Sequence, residues 1–250
     1  MLRCHISLFL GVIMHSLLKQ FTQHLFPNHC LLCDLKCGSQ QFICTNCFDA
    51  LPLHRVGCKQ CGLPIKETES EIRCGKCISN PPSFDNTFSL FEYAAPISTL
   101  IWQLKFHGNL SIAQLFAQYW IDSIDQFYAP NTLPNLIIPV PLHASRLKQR
   151  GFNQALEIAK PIGKYFHIPV DTKTCIRIKN TQAQSSLHAQ KRKHNVDNAF
   201  GLSYSITAKH VAILDDVMTT GNTVSEISHL LKKVGVEKVD VWCCARARLH

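Results

Sequence analysis

Two adjacent carboxylates, Asp215 and Asp216, stand between an apolar run, VAIL at 211–214, and a short polar turn, VMTTGNT at 217–223. Past the turn Val224, Ile227, Leu230, Leu231 and Val234 recur at helical spacing. The pattern predicts a buried parallel strand, a tight loop and an amphipathic helix. Such a unit aims backbone N–H groups and the positive end of a helix at an anion, usually a phosphate. Thr219, Thr220 and Thr223 add hydroxyl donors, and Gly221 lets the backbone approach closely, with Val217, Met218 and Asn222 completing the turn. The two acids would repel a bare polyphosphate, but they suit sugar hydroxyls or a Mg²⁺ ion that neutralises the charge. Phosphate, vicinal diol and metal together describe a phosphorylated ribose. A structural turn whose acids only cap the helix is the alternative. A Walker loop is excluded, because no G-x-x-x-x-G-K-[ST] occurs, and a haloacid-dehalogenase site would need D-x-D where this chain has D-D-V.

Cysteines supply the second chemistry. Four C-x-x-C pairs, Cys30/Cys33, Cys44/Cys47, Cys58/Cys61 and Cys74/Cys77, lie in the N-terminal third. Ten residues separate Cys33 from Cys44 and twelve separate Cys61 from Cys74. A C-x-x-C turn brings two thiolates to one metal, and two such knuckles complete a tetrahedral Cys₄ zinc site. Pairing of consecutive knuckles is the simplest arrangement, and an interleaved cross-brace has compatible spacing. Disulfides are the rival, disfavoured because regular C-x-x-C repeats are poor disulfide geometry. Cys37 is a spare thiol near the first site, whereas Cys4, Cys175, Cys243 and Cys244 read as isolated or buried.

A chain of 250 residues, 46% hydrophobic, is long enough to bury a sizeable core. Zinc-type cysteine usage argues for a reducing compartment and hence the cytoplasm. The formal charge of +9 falls to about +5 once two Zn(Cys)₄ centres of −2 each are counted, a moderate basic signal compatible with nucleic acid. Residues 1–13 resemble the start of a signal peptide, but the apolar run is too short to span a bilayer, so no membrane partner is expected. Met14 offers a second start, and residues 1–13 are read as a segment absent from the natural protein.

These sites need elements to hold them. Residues 16–26 read as a small helix, and 84–93 as an extended segment. Residues 96–106 and 110–127 read as helices, 136–141 as a buried strand closed by prolines, and 153–166 as a helix that Pro161 should kink. Residues 239–245 form a terminal strand. Alternating strands and helices predict an α/β domain with a parallel sheet over 84–250. Before it lie a cysteine-rich module at 29–80 and an extension at 1–28.

Two basic segments complete the picture. Arg146, Lys148 and Arg150 cluster on a predicted loop just after the 136–141 strand. Ligands of open α/β sheets bind at the carboxyl ends of strands, so this loop should face residues 215–223 and suits pyrophosphate. A solvated basic face is the plain reading. The polar stretch 179–198 is too long for an ordinary connection. A long loop carrying cations can close over a charged leaving group, and Arg192 is the chosen catalytic candidate there. A flexible nucleic-acid-contacting loop is the alternative.

Residues 211–223 resemble the 5-phosphoribosyl-1-pyrophosphate (PRPP) loop of type I phosphoribosyltransferases. That likeness implies that Asp215 and Asp216 grip the ribose hydroxyls and that residues 219–223 hold the 5-phosphate. The whole ordered set resembles the ComF/GntX family: four knuckles, LKFHGN at 104–109, PVPLHASRLKQRGFNQ, TQAQSSLHAQKRKHNVDNAF and VAILDDVMTTGNTVSEI. The resemblance implies a double zinc ribbon followed by a phosphoribosyltransferase-like domain, and a role in competence or the use of external DNA. Two functions follow from it. One is a pentosyl (phosphoribosyl) transferase using PRPP and Mg²⁺, its acceptor pocket near Phe106 and His107. The other is a non-catalytic module that binds single-stranded DNA or DNA-uptake proteins; Phe42, Phe48 and His54 near the knuckles are candidate stacking platforms, with zinc-ribbon core as the commoner reading of each.

Overall fold

The structure, a computed structural model, describes residues 29–38, 41–65, 73–179 and 198–248. Residues 1–13, the 16–26 segment and Arg192 lie outside the described residues. The chain forms two compact units that divide between Leu51 and Pro52.

The first unit carries the first two knuckles and the short helix α1 (Thr45–Asp49), which begins directly after Cys44. The second unit opens with the later two knuckles and helix α2 (Gly75–Ser79), which begins directly after Cys74. Its centre is a four-stranded sheet of β1 (Asn86–Glu92), β2 (Leu136–Pro139), β5 (His210–Met218) and β6 (Lys238–Arg246). The order is β1-β6-β5-β2 and every pairing is parallel. β6 is buried at eight of nine positions, as a strand covered on both faces must be.

Helix α7 (Asn222–Lys233) covers one face. Its Val224, Ile227 and Leu231 pack with Val211 and Ile213 of β5 and Val239, Val241 and Cys243 of β6. The other face is covered by helices α3 (Ile97–His107), α4 (Ser111–Ser123) and α6 (Gln154–Phe166). There Trp120 of α4 stacks on Trp242 of β6, ring centroids 5.2 Å apart, and both rings are fully buried. Each fully buried large apolar side chain contributes ~1.5–3 kcal/mol, so this layered core dominates the stability of the unit.

At the amino ends of the strands lies a buried polar knot. Asp240 Oδ2 accepts from Tyr128 Oη at 2.8 Å and pairs with His210 Nε2 at 2.7 Å. Its Oδ1 accepts from Asn86 Nδ2 at 2.8 Å, and Tyr128 Oη in turn accepts from Trp242 Nε1. Burial opposes ionisation of Asp240, yet these donors hold its carboxyl below the usual range.

Sequence and structure differ at three places. β5 runs on past the VAIL segment through Asp215 and Asp216 to Met218, so the acids and the first two residues of the expected turn belong to the strand. Residues 144–150 form a helix, α5 (Ala144–Arg150), where a loop was predicted. The hairpin β3 (Cys175–Arg177) and β4 (Phe200–Leu202) was not predicted. Helix α6 (Gln154–Phe166) carries Pro161 inside it and matches the predicted 153–166 span to one residue. Among the described residues no helix is long and apolar enough to cross a membrane.

Candidate functional site

A cleft of about 1130 Å³ opens at the carboxyl ends of the strands. Alternation along β5 sends its two acids to opposite faces of the sheet. Asp216 follows Ala212 and Leu214 towards α3 and α6, and Asp215 follows Val211 and Ile213 towards the α7 side. Both line the cleft, with Val217, Thr219 and Thr223 beside them.

Asp216 is only 2% exposed and is held on both oxygens. Lys105 Nζ of α3 pairs with Oδ2 at 2.5 Å, and Gln154 Nε2 donates to Oδ1 at 3.3 Å. Gln154 itself accepts from Arg150 Nη1 at 2.5 Å, so a continuous polar chain runs from Lys105 to Arg150. Burial disfavours the Asp216 carboxylate, but the Lys105 charge overrides it and holds the group below the usual range. Asp215 goes the other way: burial and the neighbouring Asp216 charge raise it well above the usual range. One acid is thus committed to an internal cation, and the other gains most from an incoming one.

The turn after β5 is set by Gly221, at φ 80°, which caps α7. A Cβ there would lie 2.7 Å from Met218 Cε and 3.7 Å from Phe84, so the residue must be glycine. Helix geometry directs the first-turn N–H groups of α7 out of this end. Met218 is buried in the core, so only its main chain can serve a ligand. Thr220 and Asn222 complete the turn, with Asn222 N 3.5 Å from Thr220 Oγ1.

Opposite the acids stands a set of arginines. Arg146 and Arg150 lie one turn apart on α5 and both line the cleft. Lys148, on another side of that helix, is not brought to the cleft. Helix α5 starts at His143, whose side chain accepts from Ser145 N, and ends at Gly151 with φ 83°. Asn153 caps α6 and donates to Val140 O at 3.0 Å, fixing both helices against the end of β2. Burial lowers the affinity of the Arg146 and Arg150 guanidinium groups for their protons, which favours an anion between them.

Two cleft residues escape sequence reasoning. Lys105 belongs to the LKFHGN segment, but only packing shows it on Asp216. Arg177 arrives on the β3–β4 hairpin with its guanidinium 5.3 Å from the Phe200 ring centroid. The hairpin is tied to α7 through Glu226 Oε1, which accepts from Ala199 N at 2.7 Å. Of the expected acceptor residues, Phe106 lines the cleft beside Trp102, whereas His107 packs against the Trp102 ring at 4.5 Å.

The cysteines assemble as two consecutive sets, Cys30/Cys33/Cys44/Cys47 and Cys58/Cys61/Cys74/Cys77, with all ligand atoms of a set within 4.8 Å of one another. The interleaved pairing is thereby excluded. In each set a main-chain N–H supports a sulfur: Cys44 N donates to Cys30 Sγ at 3.4 Å, and Cys74 N to Cys58 Sγ at 3.2 Å. Burial pushes these two thiols up, but the N–H donors outweigh it and bring Cys30 to about 6 and Cys58 to about 7. Four-sulfur sets of this closeness with N–H···S support fit zinc, whose structural sites take four thiolates. Cys37 stands apart, its Sγ 3.2 Å from Gln41 O.

The second set is built into the sheet unit. Thr87 N of β1 donates to Lys59 O, and Thr87 Oγ1 donates to Gln60 O at 2.7 Å. Arg246, at the end of β6 and 1% exposed, donates through Nε to Cys61 O at 2.7 Å. His54 has Nε2 2.8 Å from Gly62 O and supports the knuckle, in line with its reading as ribbon core rather than stacking platform.

A parallel sheet ending in an acid pair, a threonine-rich turn and a helix N-terminus, in one chain with two four-cysteine sets, defines a phosphoribosyltransferase-like protein with a double zinc ribbon. The double zinc ribbon domain family matches residues 21–78 and the phosphoribosyl transferase domain family residues 153–248. The chain is 37% identical over 225 residues to DNA utilization protein YhgH of Shigella flexneri, covering 88% of this chain and 97% of that protein. It is 35% identical to Competence protein F of Haemophilus influenzae, covering 82% and 97%. Competence protein ComFC of Streptococcus pneumoniae is 22% identical, over 82% of this chain and 87% of that protein. The chain belongs to the ComF family. Among solved structures, a purine phosphoribosyltransferase from Pyrococcus horikoshii shares 17% identity at a TM-score of 0.28, over 54% of this chain and 69% of that one.

Proposed function

We propose that this protein binds PRPP with Mg²⁺ in the strand-end cleft and acts in the uptake or use of external DNA. The observation that carries the reading is convergence: Asp215, Thr219 and Thr223 share one cleft with Arg146, Arg150 and Arg177. The turn and helix end suit the 5-phosphate, Asp215 suits a ribose hydroxyl or Mg²⁺, and the arginines suit pyrophosphate. Mg²⁺ fits Asp215, a half-buried acid on the cleft wall whose ionisation is disfavoured until a cation arrives. When bound it would neutralise the phosphates. Where transfer occurs, a nucleophilic acceptor displaces pyrophosphate at C1, and Arg146 and Arg150 would stabilise the departing charge. The DNA role follows from the names of the relatives.

Calorimetry and thermal shift with Mg²⁺–PRPP test the reading. At a hundredfold excess over Kd a ligand adds about 2.7 kcal/mol, which in a domain of this size raises Tm by roughly 5–10 °C. The shift should vanish in Asp215→Asn/Asp216→Asn. Because burial and the Asp216 charge raise the Asp215 pKa while a cation lowers it, affinity should rise with pH, and proton release on binding should show as a buffer-dependent heat. Absence of heat and shift in the wild type would leave the fold as a scaffold for DNA or partner contact.

A further inference from the structure

Arg246 occupies a place that neither the ribbon nor the phosphate turn explains alone. It is the last residue of β6, is 1% exposed, and spends its described hydrogen bonds on main-chain carbonyls. Nε donates to Cys61 O at 2.7 Å. Nη1 donates to Met218 O at 3.2 Å, Thr219 O at 2.5 Å and Ala247 O at 2.6 Å. One planar group therefore grips the backbone of a zinc knuckle on one edge and the first residues of the phosphate turn on another. Lysine has no equivalent fork.

Charge gives the bridge a direction. A buried guanidinium is costly to desolvate, and carbonyl dipoles offset only part of that cost. Four thiolates around Zn²⁺ carry a net −2, placed here one residue backbone from Nε. Loading the site supplies the counter-charge for Arg246 and fixes the carbonyl it holds. A second contact runs parallel: Gln60 Nε2 donates to Phe84 O at 3.2 Å, and the Phe84 ring abuts Gly221 of the turn.

We propose that Arg246 is a positioning residue that couples the Cys58/Cys61/Cys74/Cys77 centre to the 219–223 turn, so that zinc and the phosphorylated ligand bind cooperatively. The inference rests on the PRPP reading for its ligand, but its structural half does not. Binding linkage is reciprocal, so each ligand must change the affinity of the other by one common factor.

The test uses the full chain. Zinc transfer to a chromogenic chelator is followed with and without Mg²⁺–PRPP, and PRPP affinity is measured before and after the second centre is stripped. The expected coupling is about tenfold in both directions, within the usual 5–150-fold range, and falls towards one in Arg246→Lys while zinc still binds. Equal coupling in Arg246→Lys would overturn the proposal, as would PRPP binding that leaves zinc release unchanged.

Hydrogen exchange of wild-type protein provides a readout that needs neither a variant nor a nucleotide. Stripping the second centre should speed exchange of the 219–223 amides at least tenfold while residues 112–120 of α4 stay protected. Unchanged exchange at 219–223, or a uniform loss of protection across the unit, would refute the coupling. If PRPP fails to bind the wild type, the PRPP reading falls, and the same exchange experiment repeated on Arg246→Lys, where stripping zinc should no longer change the 219–223 amides, still decides the role of Arg246.

Discussion

The two four-cysteine centres are built alike and employed differently. In each, the inner sulfurs of facing knuckles stand 3.7 Å apart, Cys33 to Cys44 and Cys61 to Cys74, and a short helix starts after the third cysteine. Their surroundings diverge. Cys33 is exposed, and the first centre is closed by local main-chain bonds such as Leu31 N to Phe42 O at 2.9 Å. Cys58 and Cys77 are buried, and the knuckle between them is held by Thr87, His54 and Arg246. The same ligand set thus serves as the core of a small module in one place and as a footing of the sheet beneath the cleft in the other. Spacing sets what a metal sees, and the residues around the knuckles set what depends on the metal.

The largest effect that separates them is loss of zinc. Structural zinc contributes ~10–16 kcal/mol of apparent binding free energy at neutral pH, and in small modules this is folding free energy. Cys77→Ala should lower the melting transition of the sheet unit and abolish the PRPP-induced shift. Cys47→Ala should release one zinc, measured by metal analysis, and leave that shift within about 1 °C, since separate units contribute independently. Equal damage from both variants would show that the centres support the cleft jointly.

Asp240 asks whether the second centre matters through position or merely through stability. The polar knot lies at the amino ends of the strands, away from the turn at 219–223. Asp240→Ala leaves His210 and Tyr128 without their buried acceptor, and should cost about 3–5 kcal/mol. The pH dependence has a definite sign. With its folded pKa held below the unfolded value of about 3.9, Asp240 stabilises above that pH and loses its contribution as pH falls. Chemical denaturation at pH 7 and pH 3 should show the wild-type advantage over Asp240→Ala shrinking at the lower pH. If position is what counts, zinc–PRPP coupling survives this substitution; its loss would mean that any weakening of the sheet loosens the turn.

Much of this was legible from residues near one another in sequence. VAILDDVMTTGNT declares strand, acids, turn and helix because all its parts are contiguous, and the C-x-x-C pairs declare their metal chemistry through spacing. Long-range placement was not legible. Lys105 meets Asp216 across more than a hundred residues, and Arg177 rides on strands of three residues, too short to show a period. The basic segment 144–150 looked like a loop because prolines precede it and apolar residues are few. Read as a helix, it would have separated Lys148 from Arg146 and Arg150 by geometry alone. The acids hid the end of β5, since charged residues after an apolar run signal the end of a buried strand unless a cleft receives them. Arg246 offered no signal at all: its carbonyl partners come from three separate segments.

The smallest effect compares one glycine near each centre. Gly62 adopts φ 65°, and a Cβ there would approach Thr87 Cγ2 to 2.8 Å and Arg246 Cδ to 3.6 Å. Left-handed backbone costs an alanine roughly 1 kcal/mol, and overpacking against β1 adds to it, for about 1–3 kcal/mol together. Gly38, beside the first centre, is not at positive φ, and its nearest neighbour is the Gln41 Oε1 tip at 3.3 Å, the far end of a flexible side chain. Gly38→Ala should therefore change stability by less than about 0.5 kcal/mol. The Gly62→Ala methyl pushes on the side chains that carry the knuckle to the phosphate turn, so it should also weaken PRPP binding, whereas Gly38→Ala should not. Denaturant melts paired with PRPP titrations separate the two outcomes. A destabilised Gly62→Ala protein with unchanged affinity would confine the strain to the ribbon and sever the contact route that distinguishes the second centre from the first.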